Sequence, residues 1–165
     1  MRIVIIRIVI LSAILFAPGL VTGADPTAAQ RFVGHWRLVS CEQRSTSGEV
    51  TQPYGKDPIG RISYDAAGHM AAQLMRRDRA KFANSNPSKG TDAENREAFT
   101  GYLAYYGAYT VDEKEGTVTH HVEGAWFPNW IGANLVRHYQ FQGNRLTLRA
   151  DLPDGPSVLV WERVP

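Results

Sequence analysis

Residues 59–76 read IGRISYDAAGHMAAQLMR, and this stretch decides the class of fold. Side chains of opposite character alternate on both sides of the central Asp65-Ala66-Ala67-Gly68, as in two β-strands joined by a tight turn. Strands that follow each other this closely along a chain pair antiparallel. The sequence therefore predicts an antiparallel hairpin over these residues.

The same arrangement of short apolar runs and tight turns continues through most of the chain. Further turn signals lie at Ser47-Gly48, Glu115-Gly116, Gly143-Asn144 and Asp154-Gly155. A sheet of about eight to ten such strands tends to close on itself and to enclose a cavity. The predicted fold is therefore all-β, an antiparallel up-and-down β-barrel.

One segment interrupts the strand pattern. Thr91 and Glu94 fit a capping box, and the following residues to about 105 are predicted to form one short inserted helix. Its apolar stripe at helical spacing consists of Phe99, Tyr102, Leu103 and Tyr106. The sequence leaves open whether this helix covers the barrel mouth or packs beside it. Residues 25–30 are expected to be an irregular lead-in.

The N-terminal residues have the three-part pattern of a secretory signal. Arg2 and Arg7 precede an apolar run over residues 8–17, and small residues follow at positions 22–24. Cleavage after Ala24 would leave one domain, residues 25–165, in the periplasm or outside the cell, with no stable membrane insertion. The alternative is a retained membrane anchor, although Arg7 and a Pro-Gly pair interrupt the apolar stretch.

Composition excludes several classes of function. The 18 basic residues include the two arginines of the signal segment, so basic and acidic residues are equal in number over residues 25–165. No basic block indicates nucleic-acid binding. Cys41 is the single cysteine, so no intrachain disulfide can form; the two-residue period places it opposite Trp36, on the outward face of the first strand.

Chemistry-bearing motifs are scarce. We find no nucleophile elbow, phosphate loop or dinucleotide fingerprint, so no cofactor is expected. His120 and His121 are adjacent on a strand and must face opposite sides, and the other histidines have no metal-ligand spacing. No metal site is expected. His120 is assigned to the interior, either as a hydrogen-bonded core residue or as a polar group of a pocket.

Several longer stretches resemble a known family. Gly34-x-Trp36 is similar to the opening of lipocalin barrels, and residues 53–65, 68–70, 102–107, 116–121 and 127–130 resemble the lipocalin-like domain family of bacteria and fungi. This calycin-type resemblance covers residues 32–164 and implies an antiparallel barrel with an internal pocket, but no agreed substrate or catalytic residue. It also implies a structural contact in which Arg163 lies across the ring of Trp36.

The candidate ligand-binding residues are aromatic or apolar side chains and two polar groups on strands assigned to the interior. They are Tyr64, Met70, Leu74, Tyr102, Tyr106, His120, Trp126, Trp130, Arg137 and Tyr139. An inward Arg137 suits a ligand carboxylate, because its guanidinium donates two parallel hydrogen bonds. The alternatives are an internal salt bridge with Glu123 or Glu162, and an arginine at a barrel end that reaches water. The aromatic rings can equally be plain core residues.

These features favour an exported protein that binds a small apolar or amphipathic molecule inside its barrel, and an inward Arg137 would suit a ligand that bears a carboxylate. Two alternatives remain open. One is an isomerase, cyclase or lyase that uses His120 with nearby tyrosines on an apolar substrate. The other is a barrel filled by its own side chains, whose outer face binds another protein.

Overall fold

The computed structural model describes residues 25–165, and the predicted signal segment lies outside them. The helices are α1 (Ala28–Phe32) and α2 (Asp92–Thr100). The strands are β1 (Gly34–Arg44), β2 (Val50–Thr51), β3 (Ile59–Tyr64), β4 (His69–Met75), β5 (Tyr102–Asp112), β6 (Thr117–Ala125), β7 (Asn134–Gln142), β8 (Arg145–Ala150) and β9 (Ser157–Arg163). Short 3₁₀ turns lie at Pro87–Lys89 and Pro128–Trp130.

The sheet closes into a barrel. Over residues 25–165, eight strands pair in the order β1-β3-β4-β5-β6-β7-β8-β9, and β9 pairs back with β1. The two residues of β2 extend the sheet beside the end of β1. All these pairings are antiparallel, and the β3–β4 hairpin spans residues 59–75 around the predicted turn. The predicted all-β antiparallel barrel is confirmed.

A β-bulge in β1 changes which residues face the interior. Leu38 pairs with Trp161, but the next pair toward the strand end is Ser40 with Val160, so one extra residue lies on β1. An extra residue reverses the inward and outward alternation beyond it. Cys41 is consequently buried in the barrel, and its assignment to the outward face was wrong.

The inserted helix is shorter than the sequence predicted. It begins as expected: the Thr91 side chain accepts from the Glu94 backbone and the Glu94 side chain accepts from the Thr91 backbone. It ends at Thr100, however, and Tyr102 already belongs to β5. Strand β5 pairs along its length with β4 and β6, so sheet pairing overrides the local helical spacing.

Residues 25–30 are not an entirely irregular lead-in, because α1 begins at Ala28 with a second capping box. Its last residue, Phe32, is fully buried and closes one end of the barrel. The Phe32 ring meets Tyr64, Tyr139 and Phe141 edge to face, with centroid distances of 5.0, 5.1 and 5.0 Å. The closed end is therefore a packed aromatic core.

Neither helix of the described chain has the length and apolar character to cross a membrane.

Candidate ligand-binding site

A cavity of about 290 Å³ occupies the barrel interior between the closed end and the opposite mouth. Its walls come from inward-facing side chains of most strands and from the loops at the mouth. The apolar lining residues include Ile62, Ala72, Leu74, Leu103, Leu148 and Leu159. A largely apolar volume inside the barrel with few polar groups is typical of a small-molecule site.

Two tryptophans form the rim of the cavity at the mouth. Trp126 and Trp130 both line it, and their ring centroids are 6.0 Å apart at an interplanar angle of 71°. Trp126 Nε1 donates to the carbonyl oxygen of Phe99 at 3.0 Å, which attaches the end of α2 to the rim. No residue of α2 lines the cavity, so the described helix packs beside the mouth.

A chain of three side chains lies between the cavity and the closed end. His120 Nε2 is 2.8 Å from the hydroxyl of Tyr64, and His120 Nδ1 is 2.8 Å from the hydroxyl of Tyr105. His120 is 0% exposed, and burial lowers its pKa to about 3. The imidazole is therefore neutral at physiological pH, with one nitrogen that donates and one that accepts.

Arg137 reaches the same region from β7 and lines the cavity. Burial raises the pKa of Tyr105, and the positive charge of Arg137 opposes this rise. Arg137 Nη1 donates to the carbonyl oxygen of Val136 at 2.9 Å. No carboxylate within residues 25–165 lies within salt-bridge distance of Arg137. Glu162 binds Arg37 instead, and Glu123 is exposed on the outer wall. We call Tyr64, His120, Tyr105 and Arg137 the polar cluster.

The predicted site residues separate into four groups. Leu74, Trp126, Trp130 and Arg137 line the cavity. Tyr64 and His120 lie behind the cavity wall in the polar cluster, while Met70 and Tyr139 belong to the core toward the closed end. The remaining two are Tyr102 and Tyr106.

Tyr102 and Tyr106 lie on the outer wall of the barrel and not in the cavity. Tyr106 is 57% exposed and its ring packs over Gly124, while the Tyr102 hydroxyl donates to Gln73 Oε1 at 3.3 Å. The helical spacing predicted from the sequence placed Tyr102 and Tyr106 on one face with Leu103. In a strand, Leu103 instead faces inward together with Tyr105.

Sequence reasoning missed several cavity residues. Tyr105 was not among the candidates because it falls outside the predicted helical stripe of Tyr102, Leu103 and Tyr106; the alternation of β5 would have paired it with Leu103. Cys41 was missed because the bulge has no clear signal in the sequence. Trp161 also lines the cavity, and its indole Nε1 is buried without an acceptor among residues 25–165.

A second concavity of about 940 Å³ lies on the outside of the barrel. Small outward residues such as Ala71, Ala104 and Gly124 form its base, and Tyr106 borders it. It is a broad depression of the wall, and Ala72, Tyr105 and Trp126 line both it and the interior cavity. Across residues 25–165, no three His, Cys, Asp or Glu side chains are grouped as a metal ion would require.

The closed antiparallel sheet and its interior cavity define a small ligand-binding β-barrel. The sequence profile of the lipocalin-like domain family matches residues 33–164, which is most of the chain. This protein therefore belongs to the lipocalin-like domain family, as its motifs predicted.

Individual proteins that this chain is similar to include a relative in sequence and several solved barrels. The chain is 33% identical over 108 residues to the 4'-hydroxy-3'-methoxypropiophenone carrier protein ppsC of Aspergillus oryzae, covering 58% of this chain and 97% of the relative. A redesigned beta barrel matches 84% of this chain and 96% of its own, with 10% identity and a TM-score of 0.42. Fatty-acid-binding protein 1 of Echinococcus granulosus matches 81% and 98%, with 14% identity and a TM-score of 0.39.

Proposed function

We propose that this protein binds a small, largely apolar molecule with one polar oxygen inside its barrel and carries it unchanged. The observation that carries the proposal is the largely apolar cavity inside the barrel, with the guanidinium of Arg137 in its wall and no carboxylate of residues 25–165 paired with it. A buried or half-buried charge needs a partner, and a bound ligand would supply one. The relative from Aspergillus oryzae is named as a carrier of an aromatic ketone, which supports this type of ligand.

The size of the cavity favours a compact ligand. An apolar cavity of roughly 150 Å³ in a protein core holds one benzene molecule. The cavity here, at about 290 Å³, has about twice that volume. One ring with a short chain or a second small group fits this space, with Trp126 and Trp130 stacking against the ring from the mouth.

The geometry favours a carrier over an enzyme that uses His120. Both ring nitrogens of His120 are taken up by tyrosine hydroxyls, and the imidazole does not line the cavity. Burial also lowers its pKa to about 3, so it is a poor proton acceptor near neutral pH. A substrate in the cavity would meet Tyr105 and Arg137 but not His120.

Two neighbouring alanines provide the test. Ala72 faces the cavity and is buried, whereas Ala71, the residue before it, is exposed on the outer wall. Propylbenzene and propiophenone are titrated against the protein and its variants by the fluorescence of the rim tryptophans and by calorimetry. Ala72→Phe should fill the cavity and abolish binding, and Ala71→Phe should leave binding unchanged.

Loss of binding in Ala71→Phe alone would place the site on the outer wall and overturn the proposal. Circular dichroism of both variants checks that the barrel still folds. The wild-type protein is first freed of copurified ligand by extraction. If it then takes up neither probe, the proposal is also overturned.

Export is a separate part of the proposal and is supported by the pattern of residues 1–24. The full-length chain with a C-terminal tag, expressed in a bacterial host with a secretory pathway, should appear in the periplasm or medium. N-terminal sequencing of that product should begin at Asp25. Retention of the full-length chain in the cytoplasm or the membrane would contradict export without affecting the binding proposal.

A further inference from the structure

The polar cluster contains a hydroxyl whose hydrogen can be assigned from its neighbours. Tyr64 is almost fully buried, and within the described chain its hydroxyl has one hydrogen-bond partner, His120 Nε2. If Nε2 carried the imidazole hydrogen, Tyr64 would accept it, and its own hydrogen would be buried without an acceptor. A buried donor left unpaired is costly, so Tyr64 donates to Nε2.

This fixes the tautomer of His120. The imidazole is neutral, so an acceptor at Nε2 requires the hydrogen to be at Nδ1. Nδ1–H then donates to the Tyr105 hydroxyl, which is 2.8 Å away. Because Tyr105 accepts from His120, it cannot donate back to His120, and its own hydrogen is free for another partner.

The position of Tyr105 indicates where that partner lies. Tyr105 lines the cavity, as does Arg137, whose guanidinium carries only donors and whose charge acts on the same hydroxyl. Among the residues described, no protein acceptor for the Tyr105 hydrogen is present. The inner end of the cavity thus offers donors from two side chains. The indole Nε1 of Trp161 is a further buried donor in the barrel interior, and it has no acceptor among residues 25–165.

We propose that the Tyr64–His120 pair fixes Tyr105 as a hydrogen-bond donor into the cavity, where Tyr105 and Arg137 together bind a ligand oxygen that carries no hydrogen. The ligand class is therefore an aromatic ketone or carboxylate, and the corresponding alcohol is disfavoured. This inference rests on the proposed function, since it concerns the same cavity. Tyr105 would contact the ligand, while His120 and Tyr64 are positioning residues.

The test uses ligands that share one carbon skeleton. Propiophenone, its reduced secondary alcohol and propylbenzene are titrated by calorimetry, and phenylacetate provides the carboxylate. The wild type should bind propiophenone about tenfold or more tightly than the alcohol, because the hydroxyl hydrogen of the alcohol meets donors only. Propylbenzene should bind through apolar contact alone.

Two variants separate the hydrogen bond from a general effect on the cavity. Tyr105→Phe should reduce the preference for ketone over alcohol to about threefold or less, with propylbenzene affinity unchanged. Tyr64→Phe removes a group that touches no ligand, and it frees Nε2 to carry the hydrogen. The preference should then fall as well, which a merely structural role of Tyr64 would not produce.

Tyr109→Phe is the matched control. Tyr109 packs against Tyr64, but its hydroxyl donates to the carbonyl oxygen of Asp65, outside the polar cluster. It should keep the wild-type preference. Equal binding of ketone and alcohol by the wild type would overturn this inference while leaving the cavity proposal intact, and failure of every probe to bind would overturn both.

Arg137→Leu distinguishes the two members of the ligand class. If the natural head group is a carboxylate, the wild type binds phenylacetate more tightly than propiophenone, and Arg137→Leu reverses that order. If it is a ketone, propiophenone binds more tightly in both proteins. Either order supports an acceptor oxygen, whereas preference for the alcohol in the wild type contradicts it.

Discussion

The guanidinium of Arg163 lies over the indole ring of Trp36, with Cζ 4.1 Å from the ring centroid. The two residues are paired across β1 and β9, where the first and last strands close the barrel. Arg163 also donates to the carbonyl oxygens of Val33, at 2.8 Å, and of Arg31. One side chain therefore joins α1, the closing strand pair and the core at the closed end.

Replacing this arginine should lower stability. Arg163→Leu loses a cation–π contact and leaves two backbone carbonyls without charged donors, so the free energy of unfolding should fall by about 2–4 kcal/mol. Urea denaturation measures the loss. Arg145→Leu is the control, since Arg145 is exposed on the neighbouring strand β8. An equal loss in both variants would show that the contact with Trp36 adds no stability.

His120 should make stability depend on pH. Burial lowers its pKa from 6.5 to about 3 in the folded protein. Between these values the unfolded chain binds a proton that the folded protein does not, so the free energy of unfolding falls as pH decreases below 6.5. The slope contributed by one group approaches about 1.4 kcal/mol per pH unit.

His120→Gln isolates this contribution. Urea denaturation of both proteins at several pH values from 7 to 4.5 should show the wild type losing stability more steeply than the variant. Carboxylates with a lowered pKa, such as Asp65 and Glu94, are present in both proteins and cancel in the comparison. Parallel curves would mean that His120 titrates as it does in the unfolded chain. They would contradict the assignment of His120 as buried and neutral.

Cys41 should be a slow nucleophile in the folded protein. Burial raises its pKa to about 11, so the reactive thiolate is scarce at pH 8. Labelling with a disulfide reagent should be slower than for an exposed thiol by about two orders of magnitude or more, and fast after unfolding in urea. Because Cys41 lines the cavity, bound propylbenzene should slow the labelling further. Rapid labelling of the native protein would contradict the inward orientation that the bulge gives this residue.

Two glycines on neighbouring strands should respond differently to the same substitution. A Cβ at Gly107 would lie 2.0 Å from the backbone oxygen of His121 and 2.9 Å from the backbone nitrogen of Glu123. A Cβ at Gly124 would lie 2.5 Å from the ring of Tyr106, which is exposed and can move. Gly107→Ala should therefore cost about 2–3 kcal/mol and Gly124→Ala less than about 1 kcal/mol.

Thermal and urea unfolding of the two glycine variants measure this difference. The register of β5 on β6 shifts between Tyr106 and Gly107, so the close backbone approach belongs to an irregularity of the sheet. A larger loss in Gly124→Ala than in Gly107→Ala would contradict the assignment.

Part of the cavity could be predicted because it depends on local alternation. Leu74 lies in a hairpin with a clear two-residue period, and Arg137 alternates with Tyr139 on the inward face of β7. Tyr105 could not be placed in the same way, because residues 99–106 fit helical spacing as well as strand alternation. Gly101 ends the helix, and pairing with β4 and β6 then decides the strand.

The sequence alone determined the strand meander, its turns and the family, because each depends on residues that are close together along the chain. The tertiary structure decided which side chains meet inside the barrel. His120 meets Tyr105 across the paired strands β5 and β6, but it reaches Tyr64, 56 residues away on β3, only because the sheet curls round. The bulge in β1 brings Cys41 inward in the same way. In a closed barrel the position of each strand depends on the register of all the strand pairs. Contacts across the interior therefore depend on the whole sheet and not on any single segment.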